Sequence, residues 1–363
     1  MKHCFLFLAL VTLLTACNTK QSNSDKVTYL TKEDLPPLQQ LEYEKIDLPE
    51  EECWGYLSYH VYHDSLLIIK HNIPKLHFLT AINLNTKEII GRFITKGNGP
   101  GEVNYLSTQN LRKNLLYSYD PNSYSFIVFN MDSLWLHKQA YKPQIIRLSK
   151  QITTPYPNFD LLSDTSIVYY NEWYLENCEN PANANAPELL KFGLDGKITY
   201  EIPDDVWNVS ALNSSSLATD LERKRIFIAY NQKPEFKLLN LNFDTIQIIK
   251  GTDPIEKPVY KLFGVKGIPQ IMMPDFYSFY GSIVLSTENY VFVSMSNIRN
   301  IARLEVEKAN RTYELYKFDW DGNLLARYQF DQNSVAGYSE SSNTLYVKIE
   351  NEDGEFDLFK AKL

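Results

Sequence analysis

The sequence predicts an all-β protein: a six-bladed β-propeller of four-stranded antiparallel blades, its last blade closed by an N-terminal strand. Three observations carry this. A short apolar–Asx–apolar–Asx pattern recurs between β-type runs. The runs around each copy fall into groups of four. The carboxyl end stops one strand short of a full group, and the amino end has candidates to supply it.

The pattern appears as Ile82-Asn83-Leu84-Asn85, Phe129-Asn130-Met131-Asp132, Phe192-Gly193-Leu194-Asp195, Leu241-Asn242-Phe243-Asp244 and Phe318-Asp319-Trp320-Asp321. Asn, Asp and Gly tolerate positive φ and close tight turns. Each copy therefore reads as a hairpin. The strand before it is Phe78–Ile82, Ser125–Phe129, Leu189–Phe192, Phe236–Leu241 or Tyr313–Phe318. Most copies lead into another strand: Glu88–Phe93, Lys197–Ile202, Thr245–Ile249 and Leu324–Phe330. Further upstream lie Leu66–Lys70, Leu115–Tyr119, Ser166–Tyr170, Arg225–Tyr230 and Tyr290–Ser294, then weaker candidates such as Phe159–Ser163 and Ser278–Val284. Copies are spaced by 47, 63, 49 and 77 residues. A unit of about 45 residues with two large insertions fits a propeller. Tyr (25) and Phe (19) are abundant and suit strands.

Thr344–Ile349 and Glu355–Lys360 read as the second and third strands of a sixth unit with no fourth behind them. Val27–Leu30 or Leu41–Leu48 could complete it, hiding an edge that would otherwise invite aggregation. A ring of five or seven blades and a β-sandwich are the alternatives.

The amino terminus sets the compartment. Met1-Lys2-His3 and the apolar run from Cys4 to Leu14 read as a signal peptide, too short to span a bilayer. It ends in Leu14-Thr15-Ala16-Cys17, small residues before a cysteine, which resembles the lipobox of bacterial lipoproteins. The resemblance implies cleavage before Cys17 and acylation there. Residues 1–16 are then the signal, 17–26 a polar flexible tether and 27–363 the propeller domain. Asn18, in place of aspartate, favours the outer membrane. The anchor is the expected membrane contact, and the cell envelope the expected location.

The lipobox, the repeated β units and the segment Gly91-Arg92-Phe93-Ile94-Thr95-Lys96-Gly97-Asn98-Gly99-Pro100-Gly101-Glu102 together resemble the TolB-like, six-bladed propeller-like lipoproteins of Bacteroidota. The resemblance implies the fold and the anchor. It implies no catalytic residues.

Charge and chemistry narrow the function. The formal net charge is −8 and no Lys/Arg cluster stands out, which argues against nucleic acid. No Gly-x-Ser-x-Gly, His-Glu-x-x-His or Cys-x-x-Cys motif occurs, and Gly97–Glu102 does not match a phosphate-binding loop. No cofactor, metal site or catalytic residue is expected. The histidines after the signal (His60, His63, His71, His77, His137) all fall in the first two units. Cys53 and Cys178 lack a motif, and whether they pair stays open.

Strand parity then assigns the connections. With strands a to d alternating in direction, a–b and c–d turns lie at one end of the ring, and b–c and d–a connections at the other. The repeated hairpins are c–d turns and read as short scaffold. The unusual segments fall at the opposite end: Gly97–Glu102, Asn171–Pro187, Gly251–Tyr277 and Asn297–Arg311. Long loops on a rigid scaffold are where binding usually resides. The candidate binding residues are Asn98, Glu102, Trp173, Tyr174, Phe276, Tyr277, Arg299 and Arg303. Each has a plainer reading, as blade connection, solvated loop or surface ion pair. The expected function is an envelope-anchored binding or interaction module for a protein, peptide or glycan. The alternative is a hydrolase or lyase acting on extracellular glycans or lactones at the central channel.

Overall fold

The structure, a computed structural model, describes residues 26–49, 57–71, 76–99, 102–107, 109–112, 114–147, 158–163, 166–170, 187–193, 198–203, 215–231, 233–251, 261–265, 268–272, 276–301, 313–330, 334–351 and 356–363. Residues 1–25, Cys53, Trp173, Tyr174, Cys178, Met273, Arg303 and Arg311 lie outside the described residues.

Three short strands come first, β1 (Lys26–Tyr29), β2 (Leu38–Gln39) and β3 (Glu44–Ile46). Sheet I is β4 (Leu57–Tyr62), β5 (Leu66–His71), β6 (His77–Asn83) and β7 (Glu88–Thr95). Sheet II is β8 (Gln109–Arg112), β9 (Leu115–Asp120), β10 (Ser125–Asn130) and β11 (Gln144–Arg147). Sheet III is β12 (Asn158–Ser163), β13 (Ser166–Tyr170), β14 (Pro187–Gly193) and β15 (Ile198–Pro203). Sheet IV is β16 (Ser215–Asp220), β17 (Arg225–Tyr230), β18 (Glu235–Asn240) and β19 (Thr245–Lys250). A separate hairpin, β20 (Lys261–Val265) and β21 (Ile268–Met272), follows. Sheet V is β22 (Phe276–Ser286), β23 (Tyr290–Ile301), β24 (Tyr313–Asp319) and β25 (Leu324–Gln329). Sheet VI is β26 (Ser334–Ser339), β27 (Thr344–Glu350) and β28 (Phe356–Lys362), with β3 as its fourth strand. Within each sheet the consecutive strands are antiparallel neighbours, a β-propeller arrangement.

The second and third strands of most sheets are nearly continuous apolar runs, such as Leu66–His71 and Ser125–Asn130, and are buried almost throughout. A strand that alternates polar and apolar is packed on one face; a continuous run is packed on both. Here each sheet sits between two others. Leu66, Ile68 and Phe78 of sheet I share a cluster with Leu116, Ile127 and Phe129 of sheet II. Phe126 of sheet II meets Phe159 of sheet III at 4.5 Å between ring centroids. Sheets III and IV join through Leu162, Val168, Leu217 and Ile226. Sheets IV and V join through Phe227, Phe236 and Phe318, V and VI through Phe292, Leu315 and Leu345. Tyr59 and Val61 of sheet I pack on Ala336 and Tyr346 of sheet VI. The first strands of neighbouring sheets touch, β12 with β16, β16 with β22, β22 with β26 and β26 with β4, so they line the centre.

The repeated motif has a local cause. The Asn or Asp ending the third strand folds its side chain over the following turn. Asn83 Oδ1 accepts from the Asn85 and Thr86 amides, Asn240 Oδ1 from Asn242 and Asp244, and Asp319 Oδ1 from Asp321 and Asn323. These carboxamides and carboxylates satisfy amides that a tight turn leaves unpaired.

The sequence reading needs four corrections. The units are not uniformly four-stranded: β1 adds in parallel to β19, and β2 to β25. The second c–d connection is not a short hairpin. Asn130 caps an inserted helix, α1 (Met131–His137), by accepting from the Ser133 amide. Gly251–Tyr277 is not a plain loop, because it contains the β20–β21 hairpin and its last residues already belong to β22. Asn297–Ile301 is strand, not connection, since Arg299 pairs with Ser278.

The amino-terminal chain wraps the outside. β3 lies within the expected Leu41–Leu48, and Lys45 faces Phe359 in register. β1, within the other expected segment, instead covers the outer edge of sheet IV. The outer edges of sheets IV and V are thus covered, and sheet VI is completed, by the first twenty described residues.

Candidate functional site

The a–b and c–d turns lie at one end of the sheets, here the turn end, and the b–c and d–a connections at the loop end. Of the candidate binding residues, Asn98 and Glu102 are exposed in the connection from sheet I to sheet II. That connection is built around the Glu102 carboxylate. Its Oε2 accepts from the Gly99 amide at 2.8 Å, and the Glu102 amide donates to the Gly99 carbonyl at 3.1 Å. A Cβ on Gly97 would sit 2.0 Å from Glu102 Oε2, the mobile end of an exposed side chain, so a larger residue there would push the carboxylate out of this loop. Asn104 donates its side-chain amide to Asn98 Oδ1. Glu102 is therefore engaged in holding its own loop, and Asn98 is tied to Asn104.

Phe276 and Tyr277 open β22, and Arg299 sits near the end of β23 in register with Ser278. β22 and β23 run to 11 and 12 residues, longer than the other strands, so their paired ends extend sheet V toward the loop end. The structure thus puts Asn98, Glu102, Phe276, Tyr277 and Arg299 at the same end of the sheets. Asn98 and Glu102 belong to one connection, and Phe276, Tyr277 and Arg299 to one ribbon.

Two groups at this end were not legible in the sequence. Lys70, next to last in β5, is only 8% exposed, and its Nζ donates to the Ser107 carbonyl at 3.0 Å. Burial pushes its ammonium down to about 8. Ser107 in turn donates its amide and hydroxyl to the Tyr119 carbonyl, at 2.8 and 3.0 Å. Lys70, Ser107 and Tyr119 thereby join sheets I and II where the Gly97–Glu102 connection crosses between them. Burial is also the main cause that raises the Tyr119 hydroxyl. In sheet IV, Lys233 is buried with its Nζ 3.2 Å from Glu235 Oε1 and 3.7 Å above the Tyr230 ring. A buried ion pair backed by an aromatic face is an expensive arrangement that fixes geometry. The sequence signal for Lys70 was a lone lysine ending the run Leu66-Leu67-Ile68-Ile69.

Toward the centre, polar side chains are used between sheets. Asp160 accepts from the Thr219 amide at 2.7 Å, and Ser216 Oγ from the Ile283 amide. Among the described residues, no three of His, Cys, Asp and Glu come together in a way that could hold a metal ion. His60 lies in β4, while His63 sits in the following turn at φ 47°, so the pair is a strand residue and a turn residue. No described helix is long and apolar enough to cross a membrane.

No known family profile matches the chain, and no curated protein matches it. Solved structures do. A member of the DUF4221 family from Bacteroides vulgatus aligns at TM-score 0.59 and 10% identity, covering 91% of this chain and 98% of that one. A Bacteroides fragilis protein described as exported aligns at TM-score 0.51 and 10% identity, covering 93% and 99%. A streptogramin B lyase aligns at TM-score 0.44 and 9% identity over 89% and 98%, a likeness too low to carry chemistry. The first two define the class, a β-propeller of the kind found in Bacteroides proteins. At such identity the likeness is one of fold alone.

Proposed function

We propose that this protein is an envelope lipoprotein of the TolB-like kind, cut before Cys17 and acylated there, probing the envelope with a six-bladed propeller. The six sheets are its blades, and β3 closes the ring. The loop end is the binding end, and its ligand is a protein, peptide or glycan of the envelope at the outer membrane. The observation that carries this reading is the asymmetry of the two ends. The turn end is closed by short capped turns and one packed helix. The loop end holds the Gly97–Glu102 connection and the sheet V ribbon with Phe276, Tyr277 and Arg299; Trp173, Tyr174 and Arg303, which the reading also assigns to binding, lie outside the described residues. The aromatic and arginine residues of this ribbon belong to the types that dominate binding hot spots.

The test is capture from an envelope fraction with the soluble domain, residues 27–363, as bait. The reading expects a partner or glycan whose capture falls sharply with Tyr277→Ala and Arg299→Ala together. It expects Lys87→Ala, at the turn end, to leave capture intact. Loss with Lys87→Ala alone would reverse the assignment of ends, and no capture by a folded domain would sink it.

A further inference from the structure

The first described strand fixes how the domain meets its anchor. β1 runs parallel to β19, with Lys26 beside Gln247 and Tyr29 beside Lys250. β19 begins just after the Leu241–Asp244 turn and ends at the loop end. The chain therefore enters β1 at the turn end. Residues 18–25 separate it from Cys17, and fully extended they reach at most about 30 Å. To rest its loop end on the membrane, the domain would need that tether to run back along the sheet, about 20 Å for a six-residue strand. Resting on the turn end asks nothing of the tether.

The turn end also carries a surface suited to lipid. α1 buries Met131 and Leu134 one turn apart, which leaves Trp135 (39% exposed) and Leu136 (74%) outward. Ile145, at the start of β11, adds a third exposed apolar side chain to this sheet. The group is held firmly. Tyr62 and Asn114 donate to the two carboxylate oxygens of Asp132, and the Asn130 amide donates to the Tyr141 hydroxyl. Gln139 exchanges two hydrogen bonds with the Arg92 backbone, at 2.8 and 3.0 Å. An exposed tryptophan and leucine on so fixed a mount are not a loose loop. Within an acidic protein, His137, Lys138 and Lys142 lie exposed beside them, while the one acid of the insertion, Asp132, is engaged. Tryptophan with an apolar neighbour and a basic fringe matches the interface of an anionic bilayer.

We infer that the turn end faces the membrane, with Trp135 and Leu136 dipping into the lipid headgroups and the loop end turned away. This rests on the Cys17 anchor proposed above. The test uses the full lipidated chain in phosphatidylethanolamine–phosphatidylglycerol vesicles that contain headgroup-nitroxide lipid as quencher. In a Cys53→Ser, Cys178→Ser background, a fluorophore is placed through Leu136→Cys or through Leu76→Cys, an exposed position at the loop end. Quenching several-fold stronger at 136 than at 76 is the expected result. Equal quenching, or stronger quenching at 76, overturns the orientation while leaving the anchor intact. If Cys17→Ser leaves vesicle association and protein size unchanged, the anchor itself fails, and the orientation with it.

Discussion

The seam between sheets IV and V and the seam between sheets VI and I are built differently. The first is filled by aromatic volume. The Phe318 ring lies 5.4 Å from Phe227 and 4.9 Å from Phe236, and buried Trp320 donates its indole N–H to the Thr287 carbonyl at 3.1 Å. The first also carries scattered polar bonds, from the Ile283 amide to Ser216 Oγ and from the Arg223 guanidinium to the Glu288 carbonyl and Asn289 Oδ1; the second adds to its apolar packing a close backbone approach and a cluster of bonds on one carboxylate. Asp64 accepts from the Ser339 and Tyr346 hydroxyls, both at 2.6 Å, and from Ser342 at 3.1 Å. A Cβ on Gly337 would lie 2.9 Å from the Val61 carbonyl oxygen. Sheets IV and V follow one another along the chain. Sheets VI and I join its two ends, more than two hundred and seventy residues apart between Asp64 and Ser339. Hydrophobic attraction is non-directional, so it tolerates sliding; hydrogen bonds at fixed angles do not. At the seam that joins the two ends of the chain, the directed bonds converge on one half-buried carboxylate, Asp64.

The aromatic seam should respond most strongly to loss of volume. Phe318→Ala is expected to cost about 3–5 kcal/mol, read as a lowered urea midpoint with an unchanged m-value. A loss below about 1 kcal/mol would mean that aromatic filling is not what holds this seam.

The closing seam should respond to loss of charge. Burial by itself would raise the Asp64 carboxyl, but the hydroxyls of Ser339, Tyr346 and Ser342 outweigh it, and the net shift is downward. Asp64→Ala is expected to cost about 2–3 kcal/mol. The sign of its pH dependence follows. Because the folded value is depressed, the contribution is fully present above the unfolded carboxyl range and is lost as pH falls through the folded value. Asp64→Asn should flatten that acid limb. Hydrogen exchange should show faster opening of β26 and β4 than of β16 in either variant; uniform opening would break the comparison.

Gly337→Ala probes the same seam without touching charge. The neighbour is backbone, which cannot swing aside as a side chain would. A cost of about 1–3 kcal/mol is expected by urea unfolding, with the acid limb of Asp64 retained. A neutral outcome would show that the two inner strands are free to separate there.

Much of this was legible in the sequence because it is locally determined. Asn83 and Asp319 end strands by capping their own turns, so motif and strand boundary coincide there; in sheet IV the capping residue is Asn240, two positions before the motif's Asn242. Runs such as Leu115–Tyr119 are nearly all apolar, Ser118 apart, because both faces are covered. What was missed depends on partners far along the chain. The Phe129-Asn130-Met131-Asp132 copy looks like its siblings, but Asn130 caps a helix because Met131 and Leu134 find a buried place beside sheet I. In Asn297-Ile298-Arg299-Asn300-Ile301 the isoleucines are three apart, so no strict alternation marked this end of β23 as strand. Of the candidate binding residues, strand parity put Asn98, Glu102, Phe276, Tyr277 and Arg299 at one end. It could not reveal that the Glu102 carboxylate is engaged by Gly99, or that Lys70 is buried against Ser107.

Lys70 yields the most specific prediction, and it concerns a third seam, that between sheets I and II. Its ammonium is pushed down to about 8 by burial, from an ordinary 10.5. A depressed lysine is a cost to the folded state wherever the unfolded chain would be charged, and the cost is relieved as pH rises from the folded value toward the unfolded one. Across about pH 7.5 to 9.5, stability from this group should therefore rise by roughly 2 kcal/mol. The tyrosines Tyr316 and Tyr338, raised to about 12 chiefly by burial, act in the opposite sense, but only as pH passes their ordinary value near 10. Keeping below that range avoids the tyrosines; Lys317 and Lys348, also lowered chiefly by burial, act in the same sense as Lys70. Lys70→Met should remove the lysine's own part of the rise, leaving a shallower profile than the wild type. If the wild-type profile is already flat, the ammonium retains its ordinary affinity for protons, and this seam is more open to water than the packing of Lys70 against Ser107 implies.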